Sequence, residues 1–315
     1  MRRTRFAAAL FLLLPSGLAE AFDPETLESV VSLLPKWPGY EQGGVGAVPP
    51  GTAPEGTAVA IRPGGYLVTA LHVVDRATAI DVRLHDGRLR SAYVVGRDPA
   101  TDIALLKTDE DIPLRPERQD AALGEPVCAV GNQFGLGLTV TCGVVSATQV
   151  TNAGFNPVED FVQTDATVNP GSSGGALVDG QGRLVGMLSA IFTKESDADI
   201  GVNFAASMEL VERVVDDLIA HGKVVRVQPG FQAIELTREE RTTTAGARVA
   251  GVLPKGPADR AGLLVGDILL AAGDRQIRRT SDVVTALQLL RPGDRLSLHA
   301  LRAGTPITLE LVLPD

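Results

Sequence analysis

The sequence predicts a mostly β protein of two domains, and three observations support this. Aromatic residues make up only 4% of the 315 residues, whereas glycine (34) and proline (20) are abundant, as is typical of short strands joined by tight turns. Runs of β-branched residues between turn dipeptides recur from Thr57 onward. After Val227, roughly 90 residues carry a separate set of elements, which is enough for a compact second domain.

The composition also excludes some classes of protein. A hydrophobic content of 44% excludes a disordered chain. The 29 basic and 38 acidic side chains give a net charge of -9, so no basic stripe is available to neutralise a phosphate backbone. We therefore expect no nucleic-acid partner.

Residues 1–21 are predicted to be a signal peptide. Three arginines within the first five residues precede an apolar run over 6–14, and Ala19-Glu20-Ala21 has the small-x-small pattern that signal peptidase needs. The alternative is a retained N-terminal anchor, although the apolar run is short for a membrane span. Export to the periplasm or cell envelope is the resulting expectation.

Residues 22–56 are predicted to be an N-terminal segment and linker. Its first half is a short amphipathic stretch, and its second half is rich in proline and glycine (GGVGAVPPGTAPEG).

Residues 57–222 are predicted to be the first domain. Its strands are TAVAI, YLVTALHVV, IDVRL, RLRSAYVV and DIALLKT, followed by a second β-rich set over 127–204. Apolar residues at helical spacing predict one helix over Ser207 to Ala220, with Gly222 as its stop.

Residues 226–315 are predicted to be the second domain. Strands are expected in GFQAIEL, ARVAGVL, DILLAAGD, RLSLHAL and PITLELVL, with a short helix near Ala258 to Ala261. A longer helix should run from Ser281 as N-cap through Leu290.

The chain has two cysteines, Cys128 and Cys142, which lie symmetrically about Gly135 in a predicted hairpin. An oxidising compartment would allow them to pair. Register cannot be read from sequence, so the sequence leaves a disulfide open.

His72 is the one histidine of four without an ordinary surface role, because it follows the apolar run LVTAL and precedes Val73-Val74. The alternative is a structural, hydrogen-bonded histidine. No spacing among the histidines and cysteines resembles a metal site, so no metal is expected.

A serine nucleophile needs a base, and the base needs an orienting carboxylate. Asp102 is the best candidate for the orienting carboxylate, because it opens a strand beside the core. Asp98 and Asp165 instead have ready structural roles. Ser173 lies in the glycine-flanked loop NPGSSGG, whose backbone N–H groups could converge on an oxyanion.

The G-x-S-x-G pattern from Gly171 to Gly175 also fits the nucleophile elbow of α/β-hydrolases. That fold needs the order serine, acid, histidine and alternating helices and strands. Here the order is His72, Asp102, Ser173 in a helix-poor region, which is the chymotrypsin order and argues against the elbow.

Five ordered blocks resemble the HtrA serine proteases: TALHVV, GRDPATDIALLKT, AVGNQFGLGLTVTCGVVSA, FVQTDATVNPGSSGGALVDGQGRLVGM and GVNFAASMELVERVVDDL. The resemblance implies a chymotrypsin-like double β-barrel protease domain followed by a PDZ domain, a β-sandwich with two helices. It implies His72 as general base, Asp102 as orienting acid and Ser173 as nucleophile, with no cofactor. The oxyanion hole would be formed by the backbone of Gly171, Ser172 and Ser173.

The chain departs from the family pattern in three places. Ala70 replaces the usual Asn two residues before the histidine, and Ser172 stands where Asn is usual. The PDZ carboxylate loop, usually Tyr-Leu-Gly-Val/Ile, is similar to Phe231-Gln232-Ala233-Ile234 here. Alanine in place of glycine restricts φ, so capture of a C-terminal carboxylate is less secure than binding in the groove.

The resemblance also implies a substrate pocket, which lacks any acidic residue and should favour small or medium aliphatic side chains. Its residues would be Thr167, Val168, Ser189, Ala190 and Ile191.

The function that follows is an exported serine endopeptidase for unfolded or misfolded proteins, whose PDZ groove takes peptides or C-termini. The alternative is a proteolytically latent, PDZ-containing binding scaffold. The family resemblance suggests a homotrimer, but the segment before Thr57 does not match the part that supports trimers, so the oligomeric state stays open.

Overall fold

The computed structural model describes residues 22–37, 55–117, 120–191 and 201–314. The predicted signal peptide and most of the predicted linker lie outside these ranges. Within them are two closed six-stranded barrels and, after the barrels, a separate sheet with two helices. No helix in these ranges is both long and apolar enough to cross a membrane.

The first barrel closes in the strand order β1-β2-β3-β6-β5-β4. Its strands are β1 (Val30–Lys36), β2 (Gly56–Arg62), β3 (Tyr66–Ala70), β4 (Ala79–Arg83), β5 (Leu89–Asp98) and β6 (Ile103–Thr108). The predicted strand YLVTALHVV ends at Ala70, and α1 (Leu71–Val74) follows as a single helical turn.

The structure differs from the prediction for residues 22–56. A 3₁₀ turn (Pro24–Ser29) leads into β1, which pairs with both β2 and β4 and so closes the barrel. Consecutive residues such as Val30 and Val31 are both fully buried. One face of β1 points into the barrel and the other is covered from outside, so the strand has no exposed polar face. Its sequence therefore lacks the alternation typical of a strand and reads as an amphipathic helical stretch.

The second barrel closes in the order β10-β11-β12-β9-β8-β7. Its strands are β7 (Pro126–Gly131), β8 (Thr139–Val150), β9 (Phe161–Thr164), β10 (Ala176–Asp179), β11 (Leu184–Ile191) and β12 (Asn203–Ser207). Helix α2 (Met208–His221) follows, with the Ser207 hydroxyl capping Leu210 N–H and Gly222 ending the helix at a φ of 68°. The predicted helix is therefore correct to within one residue at each end.

Cys128 and Cys142 face each other across β7 and β8, and a disulfide joins them. The two residues are 14 apart in sequence and flank the hairpin that carries Gln133 and Phe134. The register that the sequence left open therefore aligns the two cysteines.

The second domain is a sheet of order β13-β14-β15-β17-β18, with β16 paired to β15. Its elements are β13 (Phe231–Glu235), β14 (Ala247–Val252), α3 (Pro257–Arg260), β15 (Ile268–Ala272), β16 (Arg275–Gln276), α4 (Thr280–Gln288), β17 (Arg295–Arg302) and β18 (Thr305–Val312). Helix α4 begins one residue before the predicted cap Ser281, because Asp282 instead accepts the N–H groups of Arg278 and Arg279.

The second domain packs against the second barrel and α2. The Arg275 guanidinium lies 2.7 and 2.8 Å from the two carboxylate oxygens of Asp160 and 2.5 Å from Glu209. Burial alone lowers the pKa of Arg275, but the hydrogen bonds and charges of Asp160 and Glu209 outweigh it and hold this pKa above its usual range. A second buried contact, Thr285 Oγ1 to the Glu159 carbonyl at 2.6 Å, fixes α4 on the same face.

Candidate active site

The base and its acid come from the ends of two neighbouring strands. Strands β3 and β6 are antiparallel, with Ala70 opposite Ile103, so the residues just after β3 lie beside the residue just before β6. Asp102 Oδ2 is 2.6 Å from His72 Nδ1, and Asp102 Oδ1 accepts the His72 backbone N–H at 2.9 Å. The carboxylate thus uses both oxygens to orient one histidine, which leaves Nε2 of the ring as the acceptor for a substrate-side proton.

Asp102 adopts a left-handed backbone, with a φ of 58°. Aspartate tolerates this conformation better than most residues. The Asp102 carbonyl also accepts Leu71 N–H at 2.8 Å, so backbone and side chain both hold the turn that carries His72. The two other candidate acids have structural roles: buried Asp98 binds Arg226 and Thr101, and Asp165 Oδ1 accepts Val144 N–H at 2.7 Å.

The Ser173 loop is held against the first barrel although it belongs to the second. Thr57 N–H donates to the Ser173 carbonyl at 3.0 Å, and Thr57 Oγ1 donates to the Gly171 carbonyl at 2.7 Å. Gly174 has a φ of 84°, and a Cβ there would overlap Thr57 O and Thr69 Oγ1. The loop therefore lies directly on β2 and β3. His72 comes two residues after the end of β3.

The structure brings His72 and Asp102 into contact and places the Ser173 loop beside them. Among the described residues, none forms a hydrogen bond with the Ser173 hydroxyl. The His72 side chain is 53% exposed, whereas that of Asp102 is 18% exposed. In unliganded enzymes the bond between nucleophile and base is often long and shortens only when substrate binds.

Among the described residues, two of the three predicted oxyanion donors have no hydrogen-bond acceptor. The Ser172 N–H already donates to the Asn169 carbonyl at 3.0 Å, so it is not available to a substrate. Within the part of the chain that the structure describes, the N–H groups of Gly171 and Ser173 have no acceptor. Gly171 has a left-handed backbone, with a φ of 98°, and this conformation shapes the loop that carries the donors.

Ser172 is a buried packing residue. It is 1% exposed, and its Oγ has no hydrogen-bond partner within the described ranges. It lies against Gly131, where any side chain would collide with Ser172 Cα. The two adjacent serines are thus distinguished by burial, since Ser173 is partly exposed.

The predicted substrate pocket is only partly described. Val168 and Ser189 are buried at 3% and 4% exposure, and the Thr167 carbonyl accepts Thr141 Oγ1 at 2.5 Å. Ala190 and Ile191 pair with Phe204 and Asn203 in β11 and β12, and their side chains lie outside the described part.

Sequence reasoning missed four residues that shape the site. The Thr57 hydroxyl accepts Asn132 N–H at 2.9 Å while donating to Gly171 O, and Asn169 Nδ2 donates to Gln133 Oε1 at 2.7 Å. Thr57 is one β-branched residue among many at the start of a strand, so no sequence signal identifies it. Within the described ranges no group of three or more acidic, histidine or cysteine residues could hold a metal ion.

The predicted PDZ loop lies in β13, the edge strand beside α4. Ala233 is not among the residues with a positive φ, so alanine causes no backbone strain there. Phe231 and Ala233 pack partly against the core of this domain, while Gln232 and Ile234 are exposed. A cavity of about 380 Å³ opens at the start of the strand, next to Gly230 and Phe231.

Family models match both halves of the chain: a "Trypsin-like peptidase domain" over residues 56–187 and a "PDZ domain" over 199–313. The solved structure "HtrA-type protease AlgW with tripeptide" is 37% identical, with a TM-score of 0.70, and the alignment covers 91% of this chain and 94% of that one. The chain belongs to the HtrA-type proteases. Its two barrels are the chymotrypsin-like double barrel, and the second domain is a PDZ domain, as the sequence predicts.

Curated relatives of this HtrA-type chain carry protease names. The "Periplasmic serine endoprotease DegP" of Salmonella typhimurium is 37% identical over 258 residues, which cover 79% of this chain and 54% of that protein. A "Probable periplasmic serine endoprotease DegP-like" protein of Chlamydia trachomatis is 36% identical over 272 residues, which cover 83% of this chain and 54% of that protein. The chain thus spans about half the length of these relatives.

Proposed function

We propose that this chain is an exported serine endopeptidase that cleaves unfolded or misfolded polypeptides in the periplasm or cell envelope. The observation that carries the proposal is the 2.6 Å contact between His72 Nδ1 and Asp102 Oδ2. Beside it lies a loop that offers Ser173 and two N–H groups without an acceptor in the described part of the chain. Membership of the HtrA-type family and the names of the periplasmic relatives support it.

In the proposed mechanism, His72 Nε2 takes the Ser173 hydroxyl proton as Oγ attacks the peptide carbonyl carbon. The N–H groups of Gly171 and Ser173 stabilise the negative oxygen of the tetrahedral intermediate. The protonated His72, held by Asp102, then gives its proton to the leaving amine. Water, activated by the same imidazole, hydrolyses the acyl-enzyme and restores Ser173.

The test compares residues 22–315 of the unaltered chain with the Ser173→Ala and Ser172→Ala variants. Ser173→Ala should abolish casein cleavage and fluorophosphonate labelling. Ser172→Ala should keep the labelling, because that hydroxyl is buried and has no hydrogen-bond partner among the described residues. If labelling followed Ser172 or neither serine, the assignment of the nucleophile would be wrong.

The PDZ domain is proposed to bind peptides or C-termini along β13. Two HtrA-type neighbours were solved "with tripeptide" and "with decapeptide". Deleting residues 229–315 should change substrate choice or activation, and unchanged kinetics on full-length protein substrates would contradict this. Sedimentation of the same protein would distinguish a monomer from the homotrimer that the family resemblance suggests.

A second candidate function is a latent scaffold in which the PDZ domain binds partners and the protease site rests inactive. The observation that favours it is the Ser173 hydroxyl, which has no hydrogen bond to His72 among the described residues. If labelling of Ser173 appeared only after PDZ-binding peptides were added, latency would be the resting state. Labelling without peptide would exclude the scaffold.

A further inference from the structure

An arginine-lined cleft lies at the end of β13, and the mechanism does not use it. Its walls carry Arg241, from the connection between β13 and β14, and Arg278 and Arg279, which precede α4. Asn152, two residues after the end of β8, contributes from the second barrel. The cleft has a volume of about 510 Å³ and adjoins a smaller one of about 250 Å³ that shares Arg278 and Arg279. We call this feature the arginine cleft.

One carboxylate, Glu235, lines the arginine cleft, and a second, Asp282, lines the smaller cleft beside it; both are already engaged. Glu235 accepts the Thr280 N–H at 2.8 Å and its hydroxyl at 2.5 Å, and it pairs with Arg241 at 2.5 Å. Burial alone raises the pKa of Glu235, but the Thr280 hydrogen bonds and the nearby arginines outweigh it and hold this pKa below its usual value. Glu235 therefore stays ionised as a helix cap.

The second carboxylate, Asp282, accepts the backbone N–H groups of Arg278 and Arg279 at 2.7 and 3.1 Å and also binds the Thr151 hydroxyl at 2.5 Å. Within the part of the chain that the structure describes, the guanidinium groups of Arg278 and Arg279 form no ion pair. Both residues are exposed. In a protein of net charge -9, these are two positive charges available to an outside carboxylate.

The position of the cleft relative to β13 points to what would occupy it. One edge of β13 pairs with β14, and the other faces α4 and has no strand partner in the described part of the chain, so an extended peptide could add there as a strand. A ligand antiparallel to β13, with its C-terminus at Phe231, would run past Glu235 toward the arginines. Since a strand rises roughly 3.3 Å per residue, a position about five residues upstream of the C-terminus would reach Arg278 and Arg279.

We propose that the arginine cleft binds acidic side chains about five to eight residues upstream of a ligand's C-terminus. The PDZ groove would thus select polypeptides that combine an apolar C-terminus with an acidic upstream segment. The inference rests on the proposed peptide binding along β13 and adds the chemistry of the ligand.

The test uses residues 22–315 carrying Ser173→Ala, so that ligands are not cut, and fluorescein-labelled decapeptides followed by fluorescence anisotropy. Three peptides share one apolar C-terminal tetrapeptide and carry four Glu, four Gln or four Lys residues just upstream. The variant is Arg278→Gln with Arg279→Gln. A charge-matched control, Arg97→Gln with Arg295→Gln, removes two exposed arginines elsewhere.

The Glu peptide should bind tightest and the Lys peptide weakest. The Arg278/Arg279 variant should weaken binding of the Glu peptide about three- to tenfold, as expected for two exposed charge pairs, and leave the Gln peptide nearly unchanged. The difference should shrink at 0.5 M salt because exposed charges are screened. The control variant should bind all three peptides like the parent.

Equal binding of the Glu and Gln peptides would overturn this inference and leave peptide binding in the groove intact. Binding of none of the three would overturn both. An equal loss of Glu-peptide affinity in the control variant would show that net charge, rather than the arginine cleft, attracts the peptide.

Discussion

Gly171→Ala tests whether the backbone shape of the Ser173 loop positions the oxyanion donors. A Cβ on Gly171 would overlap the Asn132 carbonyl oxygen and come within 3.1 Å of Phe134 N. Asn132 is fully buried, and its N–H donates to Thr57 Oγ1 at 2.9 Å, so it cannot easily move away. Gly171 must therefore shift, and its free N–H shifts with it.

The expected effect on catalysis is large. A displacement of about 1 Å in a catalytic group costs roughly 100-fold in rate. Complete loss of one oxyanion donor costs about 10² to 10³ in kcat, or about 3–4 kcal/mol of transition-state stabilisation. Because alanine has a Cβ, the left-handed backbone at this position should also lower the free energy of unfolding of the variant by about 1–2 kcal/mol. We therefore expect kcat to fall at least 100-fold with KM nearly unchanged.

Gly137→Ala is the matched control. Gly137 has a φ of 105°, close to the 98° of Gly171, but nothing lies within 4 Å of a Cβ built there. Steady-state cleavage of a quenched fluorescent peptide and thermal unfolding would be measured for both variants. Both should lose similar stability, and only Gly171→Ala should lose kcat. The reasoning is wrong if Gly171→Ala keeps more than a third of kcat, or if Gly137→Ala loses as much.

Three further predictions concern the acid, the disulfide and a half-buried carboxylate. Asp102→Asn should lower kcat by about 10⁴ because the imidazole is held in the wrong tautomer; a loss under tenfold in peptide cleavage would count against its role. Replacing Cys128 and Cys142 together by alanine should lower the free energy of unfolding by about 3 kcal/mol. Urea titration with and without dithiothreitol checks this, because only the parent protein should respond to reductant. Burial, a hydrogen bond with Glu212 and the negative charge of Glu212 outweigh the opposing effect of Arg62 and raise the pKa of Glu117 from 4.5 to about 7. The folded state then binds more protons than the unfolded state between these values, so stability should fall as pH rises from about 5 to 7. Glu117→Gln should make the melting temperature nearly independent of pH over that range. If the variant kept the pH dependence of the parent protein, the raised pKa of Glu117 would be refuted.

Much of the fold and the pairing of His72 with Asp102 could be predicted from sequence because local patterns fix them. Strand ends in an antiparallel barrel bring together residues that each follow or precede an apolar run. The sequence predicts helix α2 because Ser207 and Gly222 are strong helix boundaries.

Other features depend on contacts that sequence does not encode locally. Strand β1 is buried on both faces, so it lacks the alternation that identifies a strand. The Arg275–Asp160 ion pair joins residues 115 apart, and neither is unusual in its own segment. Helix α4 starts before Ser281 because Asp282, rather than the serine, caps the preceding N–H groups.

The two hydrogen bonds of Thr57 have a consequence for newly made chains. The nucleophile loop belongs to the second barrel, but its curvature depends on a threonine 114 residues earlier in the first. The first barrel supplies His72 and Thr57, and the second supplies the Ser173 loop, so a chain that has closed only one barrel has an incomplete site. The proposed site can therefore form only when both barrels are closed, which couples its assembly to completed folding.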